Sequence, residues 1–206
     1  MQDEDMFLRA SDDWEGAVKR LLETGGILVY PTDTVYGLGC DAESVESIRQ
    51  IQRIKGKRGT KPFPVLVSSL ETAFEVGVFS ERAQALARRY WPGQLTLVIP
   101  RKNGHLEHAA LGAPTVGLRI PADPIAMRIA QLSPSGCVIG TSANRSGLPP
   151  ATSVQVLDPE VARRVDAVLD DGPRNGQPST VVEVVGDTVR TLRKGRLDPT
   201  SDMGLW

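Results

Sequence analysis

Apolar positions along this chain recur at helical spacing in some stretches and as short unbroken runs in others. Trp14, Val18, Leu21 and Leu22 share a helical face, Asp12 or Asp13 stands where an N-cap would, and Gly25-Gly26 stops the pattern before the run Ile27 to Tyr30. The spacing predicts a helix followed by a strand. Ser44 is placed to cap a second helix through Val45, Ile48 and Ile51, and Phe63 to Val67 reads as the next strand after a basic loop. Ser80 opens a helix through Ala83, Leu86 and Tyr90 that ends at Trp91-Pro92-Gly93, and Leu95 to Ile99 has the β-branched, apolar look of a strand.

The alternation continues with a strand at Val116 to Ile120. Asp123-Pro124 supplies a cap and a first-turn proline for a helix to Leu132, and Cys137 to Gly140 is a buried strand. Val154 to Val165 is helical in pattern but interrupted by Pro159, and Thr180 to Val185 and Val189 to Leu192 form a hairpin around Gly186-Asp187. Helices alternating with strands, closed by a hairpin, predict an α/β domain with a mixed sheet flanked by helices. With 206 residues, no internal repeat and no Pro-, Gly- or Ser-rich linker, one domain over residues 8–195 and a short tail over 196–206 are expected.

Composition narrows the setting. Two cysteines, Cys40 and Cys137, form no disulfide framework, and the acidic start of the chain lacks the flank and apolar run of a signal peptide. The expectation is a cytoplasmic protein with no membrane span. A net charge of −1 argues against a wholly basic nucleic-acid coat, yet Ser47 to Leu70 holds Arg49, Arg53, Lys55, Lys57, Arg58 and Lys61 with no Asp or Glu. Several cations in one stretch can neutralise a polyanion that a single one could not, although a solvated basic face has the same composition.

Three other clusters carry candidate chemistry. Tyr30 to Asp41, YPTDTVYGLGCD, follows a strand and offers the hydroxyls of Thr32, Thr34 and Tyr36 with Gly37 and Gly39 to admit an anion; a strand-end turn with capping hydroxyls would look alike. Gly140 to Gly147, GTSANRSG, follows another buried strand, where Ser142 and Asn144 could orient a phosphate or ribose. Arg119, inside the apolar run VGLRI, needs a carboxylate, either internal or a substrate's. No G-x-x-x-x-G-K-[ST] phosphate loop exists, and Gly37-x-Gly39-x-x-Ala42 lies too far from its strand for a dinucleotide fingerprint. His105 and His108 lie in a Gly- and Lys-containing loop without a cysteine cluster, so neither a metal site nor a Ser-His-Asp arrangement is expected.

In this order the clusters resemble the threonylcarbamoyl-AMP synthase family, whose shared unit is the YrdC-like domain. The resemblance rests on GGILVYPTDTVYGLGCDA (25–42), IKGKRGTKPFPVLV (54–67), WPGQLTLVIPRK (91–102), TVGLRIPADPIA (115–126), GTSANRSGLPPATS (140–153), PSTVVEV and LRKG. It implies a twisted mixed sheet with a concave cationic face, in the short form that ends soon after Gly195. It also implies a nucleotidyltransferase that makes threonylcarbamoyl-AMP from L-threonine, bicarbonate and ATP with Mg2+, and feeds a downstream tRNA threonylcarbamoyl transferase. By the same resemblance Thr32, Arg119 and Ser179 contact threonine. Lys55, Ser142 and Asn144 hold ATP and bicarbonate, with Lys57, Arg58 and Lys61 in the basic loop, and Thr115 and Arg193 fall at nucleotide-contacting positions. Two departures stand out: Lys57 replaces the arginine of a K-x-R pair, with Arg58 beside it, and Leu66 stands where many members carry histidine. A paralogue with another carbamoyl substrate, or a non-catalytic module for tRNA or double-stranded RNA, are the competing readings.

Overall fold

The computed structural model of the chain describes residues 7–56 and 61–199. In chain order the elements are β1 (Phe7–Arg9), α1 (Glu15–Glu23), β2 (Leu28–Tyr30), β3 (Gly37–Gly39), α2 (Val45–Lys55), β4 (Val65–Val67), α3 (Leu70–Val76), α4 (Glu81–Tyr90), β5 (Leu95–Pro100), β6 (Thr115–Arg119), α5 (Pro124–Leu132), β7 (Cys137–Ile139), β8 (Thr141–Ser142), α6 (Pro159–Ala162), β9 (Ala167–Asp170), β10 (Thr180–Val185) and β11 (Thr188–Arg193). The α/β class and the mixed sheet character hold, but the strands divide between two sheets. One has the order β1-β9-β2-β3-β8 and the other β11-β10-β5-β6-β4-β7.

Local signals placed most helix ends. Ser80 and Asp123 accept hydrogen bonds from backbone N–H groups of the first turns of α4 and α5, and Asp158 does the same for α6. Pro159 therefore opens a short helix instead of interrupting a long one, and a separate 3-10 turn occupies Val154–Val156. At α1 the expected cap by Asp12 or Asp13 is absent: Trp14 is the capping residue and no side chain serves the turn. Trp14 is instead buried with Val18 and Leu22 against Ile129 and Ala130 of α5, so packing, not capping, fixes the start of α1.

The core lies on both sides of short, wholly buried strands. Val65 and Val67 face the main cluster with Ile48, Ile51 and Ile54 of α2, while Leu66 between them joins Tyr30 and Val138 under α1 and α5. That two-sided burial is why these runs are continuously apolar and only three residues long. Backbone hydrogen bonds join the two sheets beside β7. Ile139 N–H donates to the Cys40 carbonyl at 3.0 Å, Asp41 bridges Val138, and the chain then crosses from β7 in one sheet to β8 in the other through Gly140. A side chain on Gly140 would stand 2.8 Å from Leu66 Cγ, so the crossing requires glycine for space. Toward the tail, Leu197 packs on the core and its carbonyl accepts from Thr180 Oγ1 at 2.6 Å.

Candidate active site at the seam of the two sheets

β2 ends at Tyr30, and the chain turns through residues 31–36 before returning as β3 beside it. Inside the turn Thr32 Oγ1 donates to the Val35 carbonyl at 2.6 Å, accepts from Thr34 N–H at 3.1 Å and lies 2.9 Å from Thr34 Oγ1. Its hydroxyl is thus engaged in shaping the turn. The glycines of β3 serve packing: a Cβ on Gly37 would meet the Tyr30 ring at 2.8 Å, and one on Gly39 would meet the Ile139 carbonyl oxygen at 2.2 Å. Gly37 borders a small recess, whereas Gly39 serves close backbone approach.

The basic loop begins at the end of α2. Lys55, its last residue, is buried, and its ammonium donates to the Ser142 carbonyl at 2.7 Å and to Asn144 Oδ1 at 2.9 Å. The carboxyl end of a helix favours a cation, which lowers the cost of holding this one. Ser142 Oγ donates to the same Asn144 oxygen at 2.5 Å, and Asn144 Nδ2 donates to the Leu148 and Arg145 carbonyls at 2.5 and 3.1 Å. Every hydrogen-bonding direction of the Asn144 amide is thereby used, which orients Lys55 and Ser142 as one unit. Gly56 follows with φ 68°, a left-handed conformation that glycine adopts without strain, and turns the chain into the loop. Lys57 and Arg58 lie outside the described residues.

Across the seam stands Arg119 at the end of β6. It is buried, its Nε donates to the Gly93 carbonyl at 2.9 Å, and its Nη2 pairs with Asp33. The internal carboxylate that Arg119 needs is Asp33, and Arg119 also faces the cavity. Burial pushes its pKa down, opposed by the charge of Asp33. Arg193 reaches in from β11, donating to the Ser179 carbonyl at 3.0 Å and to Ser179 Oγ at 3.1 Å, and Ser179 Oγ lies 2.9 Å from Thr96 Oγ1. Burial depresses Arg193 as well, with the positive charge of Arg119 adding to it. Two guanidinium groups that repel each other across one hollow make a place for an anion.

These groups enclose a cavity of about 530 Å³. Of the residues singled out in the sequence, Lys55, Lys61, Arg119, Ser142, Asn144, Ser179 and Arg193 line it. Thr32 lines an adjoining recess of about 30 Å³ whose wall is shared through Thr34, Val35, Leu66 and Arg119. Thr115 does not touch the cavity; it stands four residues before Arg119 on the same face of β6, roughly 13 Å along the strand. Sequence reasoning missed Asp33 and Thr96. Asp33 is the one acid in a buried, hydroxyl-rich turn, and Thr96 is a polar position inside an apolar run; both are the signals of a buried polar group that needs a partner. Leu66 presents an apolar side chain in the floor of both hollows. Among the described residues no group of three His, Cys, Asp or Glu side chains could hold a metal ion, and none of the described helices is long and apolar enough to cross a membrane.

A family model, Sua5_yciO_yrdC, described as "Telomere recombination", matches residues 20–195. The chain is 32% identical over 192 residues to the threonylcarbamoyl-AMP synthase of Bacillus subtilis, covering 91% of this chain and 55% of that protein. It is 36% identical over 183 residues to a putative threonylcarbamoyl-AMP synthase of Mycobacterium tuberculosis, covering 87% of this chain and 81% of that one. Among solved structures, Pyrococcus abyssi Sua5 complexed with L-threonine superposes with a TM-score of 0.84 at 29% identity, over 97% of this chain and 60% of that one. The chain thus spans just over half the length of the Bacillus and Pyrococcus proteins.

Proposed function

The chain belongs to the Sua5/YciO/YrdC family, and from that premise we propose that it is an L-threonylcarbamoyladenylate synthase. It joins L-threonine, bicarbonate and ATP, releases pyrophosphate, and supplies a cytoplasmic transferase that completes threonylcarbamoyladenosine on tRNA. The observation that carries the reading is one cavity with two chemically different ends. A buried arginine among hydroxyls, Arg119 with Ser179 and Thr96, suits an amino acid's carboxylate, and the Lys55–Asn144–Ser142 unit with Lys61 suits phosphates. The threonine complex of the Pyrococcus relative supports the amino-acid half.

The reaction needs no protein nucleophile. Threonine's amine adds to bicarbonate with loss of water, the carbamate oxygen attacks the α-phosphorus, and the bond to pyrophosphate breaks. Positioning of such reactants is worth about 7 to 11 kcal/mol of barrier, and fixed cations stabilise the charge that develops at phosphorus. Lys55 is held in place by Asn144 before any ligand arrives, so its charge is already oriented. ATP enters as its magnesium complex. The described lining residues offer hydroxyl and amide oxygens and no carboxylate, so they would hold the ion through its triphosphate, whose charge it would partly neutralise. Leu66 and Val35 provide an apolar surface for the methyl group of threonine beside Arg119.

The test is incorporation of labelled bicarbonate into an adenylate by the purified protein with ATP and magnesium, comparing threonine, serine and no amino acid. Threonine-dependent product with stoichiometric pyrophosphate is expected. ATP binding without product would transfer the reading to a paralogue with another carbamoyl substrate, and salt-dependent RNA binding without ATP turnover to a non-catalytic module.

A further inference from the structure

Arg119 faces the cavity yet already has a counter-ion. Its Nη2 pairs with Asp33 Oδ1 and its Nε serves Gly93, and Nη1 has no protein partner among the described residues. Two buried side-chain polar atoms among the described residues accept or donate nothing: Asp33 Oδ2 and Arg174 Nε. Both belong to the same group of charges. Arg174 Nη2 donates to Asp171 Oδ2 at 2.6 Å and lies 3.5 Å from Asp123 Oδ2, while the charge of Asp33 acts on Asp123 and that of Asp123 on Arg119. Arg174 sits on residues 171–178, a strap without regular structure that hydrogen-bonds to the turn carrying Asp33 through Gly176 N–H to the Thr34 carbonyl at 3.1 Å. The strap ends at Pro178 and Ser179, which line the cavity.

A buried carboxylate oxygen without a donor and a buried guanidinium N–H without an acceptor are each costly, and two in one cluster indicate that this arrangement is one of a pair. We propose that Asp33 is a positioning residue that acts as the displaceable counter-ion of Arg119. In the empty protein Asp33 holds the guanidinium. When a ligand carboxylate takes Arg119, Asp33 turns its charge to Arg174 on the strap, which satisfies both orphaned atoms and draws the strap toward the occupied cavity. The inference rests on the amino-acid reading of the site. It predicts that Asp33 competes with the substrate, because a ligand's apparent affinity is reduced by whatever interaction it must displace.

The test is calorimetric binding of L-threonine and of L-threoninamide, which lacks the carboxylate, to the wild-type chain, Asp33→Asn and Asp33→Glu. Asp33→Asn keeps the shape and removes the competing charge, so threonine binds it about tenfold tighter, a difference of about 1.4 kcal/mol, while threoninamide is unchanged. Asp33→Glu restores the charge and returns threonine affinity toward wild type. Asp33→Ser carries the same expectation if the asparagine variant does not fold. In the wild type, amide exchange over residues 171–178 slows with threonine and not with threoninamide. Equal or weaker threonine binding by the folded neutral variant, or exchange that responds equally to both ligands, overturns the proposal. A wild-type chain that binds ATP but not threonine would remove the amino-acid reading itself, an outcome visible without any variant.

Discussion

Replacing Asn144 with alanine removes four hydrogen bonds at once and is the most direct probe of the preformed Lys55–Asn144–Ser142 unit proposed to take phosphates. The lost bonds run from Lys55 Nζ, from Ser142 Oγ, and to the carbonyls of Leu148 and Arg145. Neutral bonds contribute about 1 kcal/mol each and one to a charged donor about 1.5 to 3. The cavity that Asn144 borders admits water, which recovers part of the loss, so a net destabilisation of about 2 to 4 kcal/mol follows. For a chain of this size each kcal/mol lowers the melting temperature by roughly 2 to 4 °C. Activity suffers separately, because Lys55 loses its orientation: kcat/KM for ATP falls about 10² to 10³-fold, the range seen when one preorganised group is removed. Urea denaturation and pyrophosphate release, measured on the same preparation below its melting range, separate the two effects. Stability within 0.5 kcal/mol of wild type, a margin of about the size of an ordinary surface substitution, would refute the account of Asn144 as the fully bonded centre of this unit.

Four further outcomes are expected. Arg119→Met takes from Asp33 the partner it has in the empty protein and costs about 1 to 3 kcal/mol, a turn toward Arg174 offsetting the rest, whereas Arg119→Met with Asp33→Leu recovers part of that; chemical denaturation of the pair checks it. Gly39→Ala forces a Cβ to within 2.2 Å of the Ile139 carbonyl, so β3 and β7 separate and stability falls by about 1 to 3 kcal/mol by thermal unfolding. Arg193→Met weakens nucleotide affinity with little loss of stability, since its bonds to Ser179 lie at the sheet edge, and the slope of affinity against salt becomes shallower in a titration. Tyr36, buried, has its pKa pushed up to about 12, so the folded state keeps its proton where the unfolded chain loses it. That stability is complete below about pH 10 and declines as pH rises toward the folded value, so the gap in melting temperature between wild type and Tyr36→Phe narrows between about pH 10 and about pH 12.

What could be read from the sequence was what local chemistry decides. Asp123-Pro124 and Gly186-Asp187 announce a helix start and a hairpin because cap and turn are made by the residues themselves, and both stand in the structure. Ala167–Asp170 is unreadable alone: four residues, too few to show a period, become a strand only because β1 and β2, more than a hundred residues earlier, pair on either side. Gly37–Gly39 has the composition of a turn and is a strand because β2 and β8 pair with it, while the Tyr30 ring and the Ile139 carbonyl leave no room for a side chain at its two glycines. The site divides in the same way. Lys55, Ser142 and Asn144 were legible as residue types beside strand and helix ends, whereas Thr96 and Asp33 take their roles from register and burial that only the packed sheets supply.

The crossing at Gly140 gives the molecule the mechanics of a calliper. Ser142 is carried by one sheet and Thr96 and Arg119 by the other, and one glycine lies between the two jaws. The opening between the Ser142 side and the Arg119 side of the cavity is therefore gauged by backbone, through the Ile139 to Cys40 hydrogen bond and the space left by an absent side chain. On the proposed reading, the length of ligand the cavity takes is set by a part of the protein that offers it no functional group, so reach and chemistry can be altered independently.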